Sequence, residues 1–184
     1  MQNNDCDIGT LASSIKNKED RKKRELRVDS KPSRVRLELT NKCNVQCIFC
    51  YRAHFKTNDH SVLTPEDINL LHPILETAKH ISLFQKAESL MSPHIIPILD
   101  KMSSYDAVFY ISTNGLLLNE QISEALIRNK ITFLTLSINA FNENYRRFYR
   151  GGKFDDLESF KILSCLVLII DLSLELLNVS LPMK

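Results

Sequence analysis

The segment LTNKCNVQCIFCYRAHF, residues 39–55, sets Cys43, Cys47 and Cys50 at the spacing C-x3-C-x2-C. The other two of the five cysteines, Cys6 and Cys165, lie far off toward either end. The bunched thiols stand beside Asn41, Lys42, Asn44 and Gln46, which is poor company for cysteines that only pack as small apolar side chains. An odd cysteine count with three of them clustered is no disulfide framework, and a reducing cytoplasm is the expected compartment. A structural zinc closes its shell with four ligands, usually as two separated pairs. For zinc, His54 would have to complete a Cys3His set. An iron–sulfur cube has four irons, so three cysteines leave one corner uncovered.

Outward from this loop, the preceding VRLELT (35–40) alternates apolar and polar residues as a strand does. Downstream, Thr64-Pro65-Glu66 supplies an N-cap, a first-turn proline and an early acid for a helix whose apolar face is Ile68, Leu71, Leu75 and Ala78. ISLF (81–84) reads as a second strand, and Ser92-Pro93 opens a second helix carrying Ile95, Ile96, Leu99 and Met102. AVFYIST (107–113) is a third strand, stopped by the turn pair Asn114-Gly115. Asn119 caps a third helix through Arg128, and ITFLTLSI (131–138) is a fourth strand. A helix from Phe154 to Ile170 and a weak fifth strand near LELLNVSL follow. Strands three and four are nearly continuous apolar runs, the pattern of a parallel sheet covered by helices. Ligands of such sheets gather at the carboxyl ends of the strands.

The length of 184 residues suits one domain. A chain 43% hydrophobic and 25% charged with net charge +2 is an ordinary globular one, and its balance points to no nucleic-acid partner. Residues 1–34 form a polar extension, in which KNKEDRKKRELR (16–27) interleaves seven basic with three acidic residues. Interspersed acids weaken a phosphate grip, so this run reads as a solvated helix or arm. The most apolar run, ILSCLVLII (162–170), ends before Asp171 and falls short of the roughly 18 residues of a membrane span. It reads as buried core.

The loop KCNVQCIFCY (42–51) resembles the cluster loop of the radical S-adenosylmethionine (radical SAM) superfamily. The resemblance runs from Val35 to Asp156 and implies a partial (β/α)6 barrel over residues 35–184, incomplete at about four to five βα units because only a weak fifth strand precedes the C-terminus. It implies a [4Fe–4S] cluster held by Cys43, Cys47 and Cys50. The open iron would chelate S-adenosylmethionine, whose reductive cleavage yields a 5′-deoxyadenosyl radical that takes hydrogen from a substrate. Phe49 matches the bulky residue that lies against the adenine. Glu88, in QKAESL (85–90), matches the acid of a Gly-Gly-Glu-Pro motif that receives the methionine amino group, while Lys86 and Ala87 replace its glycines. STNG (112–115) matches polar residues at the third strand end, Ser112 and Asn114 among them, and LSINA (136–140) matches a fourth-strand segment in which Ser137 and Asn139 face the ribose or carboxylate. ENYRRFYRGGKFDDL (143–157), with Arg150, resembles the following segment of peptide-modifying members that often carry a SPASM domain. The implied partners are the small-molecule cofactor, an external electron donor and an unknown substrate, a peptide among the candidates, with no membrane. The other readings are a truncated noncatalytic remnant, or a zinc-binding interaction module using the same cysteines with His54.

Overall fold

The computed structural model describes residues 8–24, 30–53, 60–138, 144 and 148–150. Helix α1 (Ile8–Lys23) lies in the polar extension. It is tied to the chain that follows it, with Asn17 Nδ2 donating to the Lys31 carbonyl at 2.8 Å and the Ser30 N–H donating to Asp20. Four strands form the main sheet: β1 (Arg34–Arg36), β3 (His80–Ser82), β4 (Val108–Thr113) and β5 (Phe133–Leu136), in that spatial order and all parallel. A second, antiparallel pair joins β2 (Gln46–Cys47) to β6 (Tyr149–Arg150). The α/β architecture is that of a partial barrel whose four-stranded sheet does not close on itself.

Each connection between the parallel strands carries helix. Thr64 caps α2 (Pro65–Leu70) through a reciprocal pair of bonds with Asp67. The single helix expected there is in fact two, α2 and α3 (His72–Leu75), because Pro73 has no N–H with which to continue the ladder. Helix α4 (Ile95–Met102) buries Ile95, Ile98, Leu99 and Met102; the helical period turns Ile98 to the core and leaves Ile96 only partly covered. Helix α5 (Glu120–Arg128) starts at Asn119, whose Oδ1 accepts the Ile122 N–H at 2.9 Å. Helix α4 packs between α2 and α5.

The sheet presents two unlike faces. Along β4, Phe109, Ile111 and Thr113 are buried, and Val108, Tyr110 and Ser112 are not. The buried face joins Ile81, Leu83, Ile111 and Leu134 to the apolar sides of α2, α4 and α5 in one core. Burial of one such aliphatic side chain is worth roughly 1.5–3 kcal/mol, which fixes the register of every strand. On the other face His80 Nδ1 pairs with the Tyr110 hydroxyl at 3.1 Å, and Tyr110 stacks on Phe133 with centroids 4.9 Å apart. A cavity of about 410 Å3 opens there, lined by Arg36, Ser82 and Phe84 among others.

Strand β1 is shorter than the alternating run VRLELT. After Leu37, whose N–H still reaches the Ser82 carbonyl, the chain leaves the sheet and pairs with residues 61–63. The helix expected from Phe154 and the weak fifth strand lie outside the described residues.

Candidate functional site

The cysteine loop leaves the end of β1 and turns across the carboxyl ends of β3 and β4. Cys43, Cys47 and Cys50 are free thiols, each half-buried. The Cys50 N–H donates to the Cys47 carbonyl at 3.0 Å, closing a turn that runs into a short 3-10 segment, Tyr51–Ala53. The loop is braced from the far side by β6, with Cys47 opposite Tyr149 and the Ile48 N–H donating to the Phe148 carbonyl at 3.1 Å. Val45 and Tyr149 form a small core beneath the thiols, with Cys43, Cys47, Leu116 and Ile138 against it.

Burial pushes the Cys43 thiol up, with the Glu88 carboxylate and Cys50 adding to it while the Arg52 guanidinium pulls it down. Burial, followed by the charges of Cys43 and Cys50, pushes the Cys47 thiol up to about 11. The three thiols are thus within electrostatic reach of one another. Among the described residues, no three His, Cys, Asp or Glu side chains gather closely enough to hold a single metal ion. His54 lies outside the described residues.

Glu88 is 3% exposed and begins the 3-10 segment Ser89–Met91. Its Oε1 accepts the Leu90 N–H at 3.2 Å and its Oε2 accepts the Asn114 N–H at 2.8 Å. Burial raises its carboxyl above the usual range, against the opposing hydrogen bonds from Asn114, Thr113 and Leu90. Its own N–H donates to the Lys42 carbonyl at 3.0 Å. Asn114 lies in the turn after β4, next to Gly115 with φ 83°, a left-handed backbone that glycine takes without a Cβ clash. Asn114 Nδ2 donates to Asn44 Oδ1 at 2.7 Å. The side chain of Lys86 reaches out over the Tyr51 ring, 5.7 Å from its centroid.

Ser112 and Ser137, on adjacent strand ends, hydrogen-bond through their hydroxyls at 3.1 Å. The Ser137 carbonyl accepts the Tyr149 hydroxyl at 2.7 Å. Phe49 is 55% exposed and meets the Tyr149 ring edge-on at 5.9 Å. Glu88 and Asn114 therefore meet the cysteine loop at Lys42 and Asn44, Ser112 and Ser137 form a pair beside them, and Phe49 projects from the loop over Tyr149. Asn139 lies outside the described residues. Asn44, Thr113 and Tyr149 carry this arrangement without having been singled out from sequence. Asn44 was visible as a polar residue inside the cysteine spacing; the hydroxyl of Tyr149 finds the Ser137 carbonyl 12 positions away, and its strand partner Cys47 is farther still.

The family model described as "Radical SAM superfamily" matches residues 37–164. A protein of Methanocaldococcus jannaschii named "Probable GTP 3',8-cyclase" is 28% identical over 152 residues, covering 79% of this chain and 48% of its own length. The chain thus spans about half the length of that curated relative. Among solved structures, anSMEcpe with bound AdoMet superposes with TM-score 0.59 at 18% identity, over 77% of this chain and 43% of that one. Streptococcus suis SuiB bound to the precursor peptide SuiA gives TM-score 0.56 at 17% identity, over 76% and 31%. Both likenesses are of fold.

Proposed function

The chain belongs to the radical SAM superfamily, and from that premise we propose that Cys43, Cys47 and Cys50 hold a [4Fe–4S] cluster which binds S-adenosylmethionine at its open iron. The family implies both cofactors. The observation that carries the assignment to these residues is three free, half-buried thiols on the loop leaving the first strand of a parallel sheet, within electrostatic reach of each other. A donor set of three thiolates suits the cube, which leaves one iron open for a cofactor. When bound, the cluster and cofactor supply one-electron cleavage of the sulfonium and a 5′-deoxyadenosyl radical, with the electron drawn from an external donor.

The chain's own residues bind and shield. Burial by Val45 and Tyr149 keeps water from one side of the thiols. Ser112 and Ser137 offer hydroxyls at the sheet's carboxyl end, where a ribose or carboxylate would find both a donor and an acceptor. Exposed Phe49 offers a ring face for the adenine. For the substrate we propose a peptide, supported by the likeness of residues 143–157 to peptide-modifying members and by the peptide held in SuiB.

Anaerobic reconstitution of the full chain with iron and sulfide tests the reading. Expected are visible absorption and an EPR signal of a reduced cube, lost in Cys43→Ser, Cys47→Ser and Cys50→Ser, and release of 5′-deoxyadenosine on reduction with S-adenosylmethionine present. A chain that takes up stoichiometric zinc and no iron overturns it. Stimulation of 5′-deoxyadenosine release by GTP, the nucleotide in the relative's name, would replace the peptide by a nucleotide substrate.

A further inference from the structure

We infer that Glu88 and Asn114 are positioning residues for the first cysteine of the loop, holding the chain on both sides of Cys43 and so fixing where its sulfur stands. The inference rests on the reading that this cysteine is a cluster ligand, and departs from the role the family resemblance gives to Glu88. Before Cys43, the Lys42 carbonyl accepts the Glu88 N–H at 3.0 Å. After it, Asn44 Oδ1 accepts Asn114 Nδ2 at 2.7 Å. The two anchors are themselves joined, because Glu88 Oε2 accepts the Asn114 N–H at 2.8 Å. A closed ring of hydrogen bonds therefore runs from Lys42 through Glu88 and Asn114 to Asn44, with Cys43 as the link that completes it.

Two details make this ring a bracket with little room for other partners. Asn114 Oδ1 accepts the Leu116 N–H at 3.0 Å, which fixes the amide so that its NH2 faces Asn44. Each Glu88 carboxylate oxygen already accepts one backbone N–H, Oε1 from Leu90 and Oε2 from Asn114. At 3% and 6% exposure, Glu88 and Asn114 make these bonds away from water, where a charge-assisted hydrogen bond is strong and an unpaired group costly. A side chain committed in this way sets the position of a ligand through its neighbours, as the outer partners of metal ligands do.

The test uses the full chain, reconstituted anaerobically, with Glu88→Gln, Asn44→Ala and Asn114→Ala. Loss of iron to a chelator is expected to run about tenfold faster in each variant than in the parent. The double variant Asn44→Ala/Asn114→Ala should be no faster than Asn114→Ala alone, since the bond that Asn44→Ala removes is already gone there. Binding of S-adenosylmethionine per loaded cluster should be unchanged in Glu88→Gln. Additive losses in the double variant, or a Glu88→Gln protein that keeps its iron but loses S-adenosylmethionine affinity, would overturn the inference. The same bracket is read before iron is added, by alkylation of Cys43 relative to Cys50: Asn44→Ala and Asn114→Ala, which leave every charge in place, should label Cys43 faster than the parent does. A parent chain that takes up no iron defeats the cluster reading alone, and equal Cys43 labelling in parent and variants defeats the bracket alone. Asn44 lies on the loop outside the core, so Asn44→Ala carries the test should Glu88→Gln not fold.

Discussion

Before any metal enters, a thiolate at Cys47 would stand half-buried beside two more thiols, and both circumstances oppose its charge. Its thiol is pushed up to about 11, so the sign is clear: at neutral pH Cys47 is protonated, and loading a metal must displace that proton. We expect the alkylation rate of Cys47 in the metal-free chain to climb about tenfold per pH unit until near 11, because only the thiolate reacts. Peptide mapping by mass spectrometry would show this, and a rate already level at pH 8.5 would contradict it. That Cys43, Cys47 and Cys50 stand together on one loop was legible in their spacing alone. The hydrogen-bond partners of Glu88 were not, because Lys42 and Asn114 lie 46 and 26 positions away and meet it only where two strand ends converge.

Among the elements, helix ends follow local rules, at a cost where a residue with a Cβ turns left-handed, as Arg24 does after α1 and Lys130 after α5. Helix α5 ends with Asn129, and the next residue, Lys130, takes the left-handed conformation at φ 53°. The Lys130 N–H bonds to the Ile127 carbonyl and the Ile131 N–H to the Leu126 carbonyl, the two bonds of a Schellman ending. A side chain with Cβ strains this position, so Lys130→Gly should stabilise the fold by about 1 kcal/mol, measured by chemical denaturation. At the start of α2, the Thr64 backbone N–H, followed by its hydroxyl, holds the Asp67 carboxyl below the usual range. A lowered folded value gives stability that is full above the ordinary carboxylate pKa and fades as pH falls through the lowered one. Asp67→Asn should therefore lower stability at neutral and alkaline pH and flatten the acid limb, the difference from the parent shrinking as pH falls through the lowered value, read by chemical denaturation across pH. The caps at Thr64 and Asn119 were readable from a few adjacent residues. The break at Pro73 was equally present in the sequence, but the apolar spacing from Ile68 to Ala78 ran through it. Strands β2 and β6 were not readable, since each is two residues long and exists only because the other is there.

Across the molecule, the described core lies between one face of the sheet and helices α2, α4 and α5, with Ile111 in the sheet fully buried. Ile111→Ala should cost about 2–5 kcal/mol in denaturation, as truncation of a packed aliphatic residue does. Ser112, its neighbour, points to the other face, and Ser112→Ala should cost far less stability, with its effect on cofactor binding instead. None of the described helices is long and apolar enough to cross a membrane. Alternation and near-continuous apolar runs determined the strands, their order along the chain and the parallel sheet, because burial on a period is a property each segment carries by itself. The cysteine loop and the motifs after it carried the resemblance to the family whose model matches residues 37–164. Tertiary structure alone decided that residues 148–150 return to brace the cysteine loop, that Tyr149 lies under it, and that Glu88 and Asn114 grip the chain around Cys43. Those contacts join segments far apart in sequence, and a hydrogen bond between them leaves no trace in either segment until the sheet brings its strand ends together.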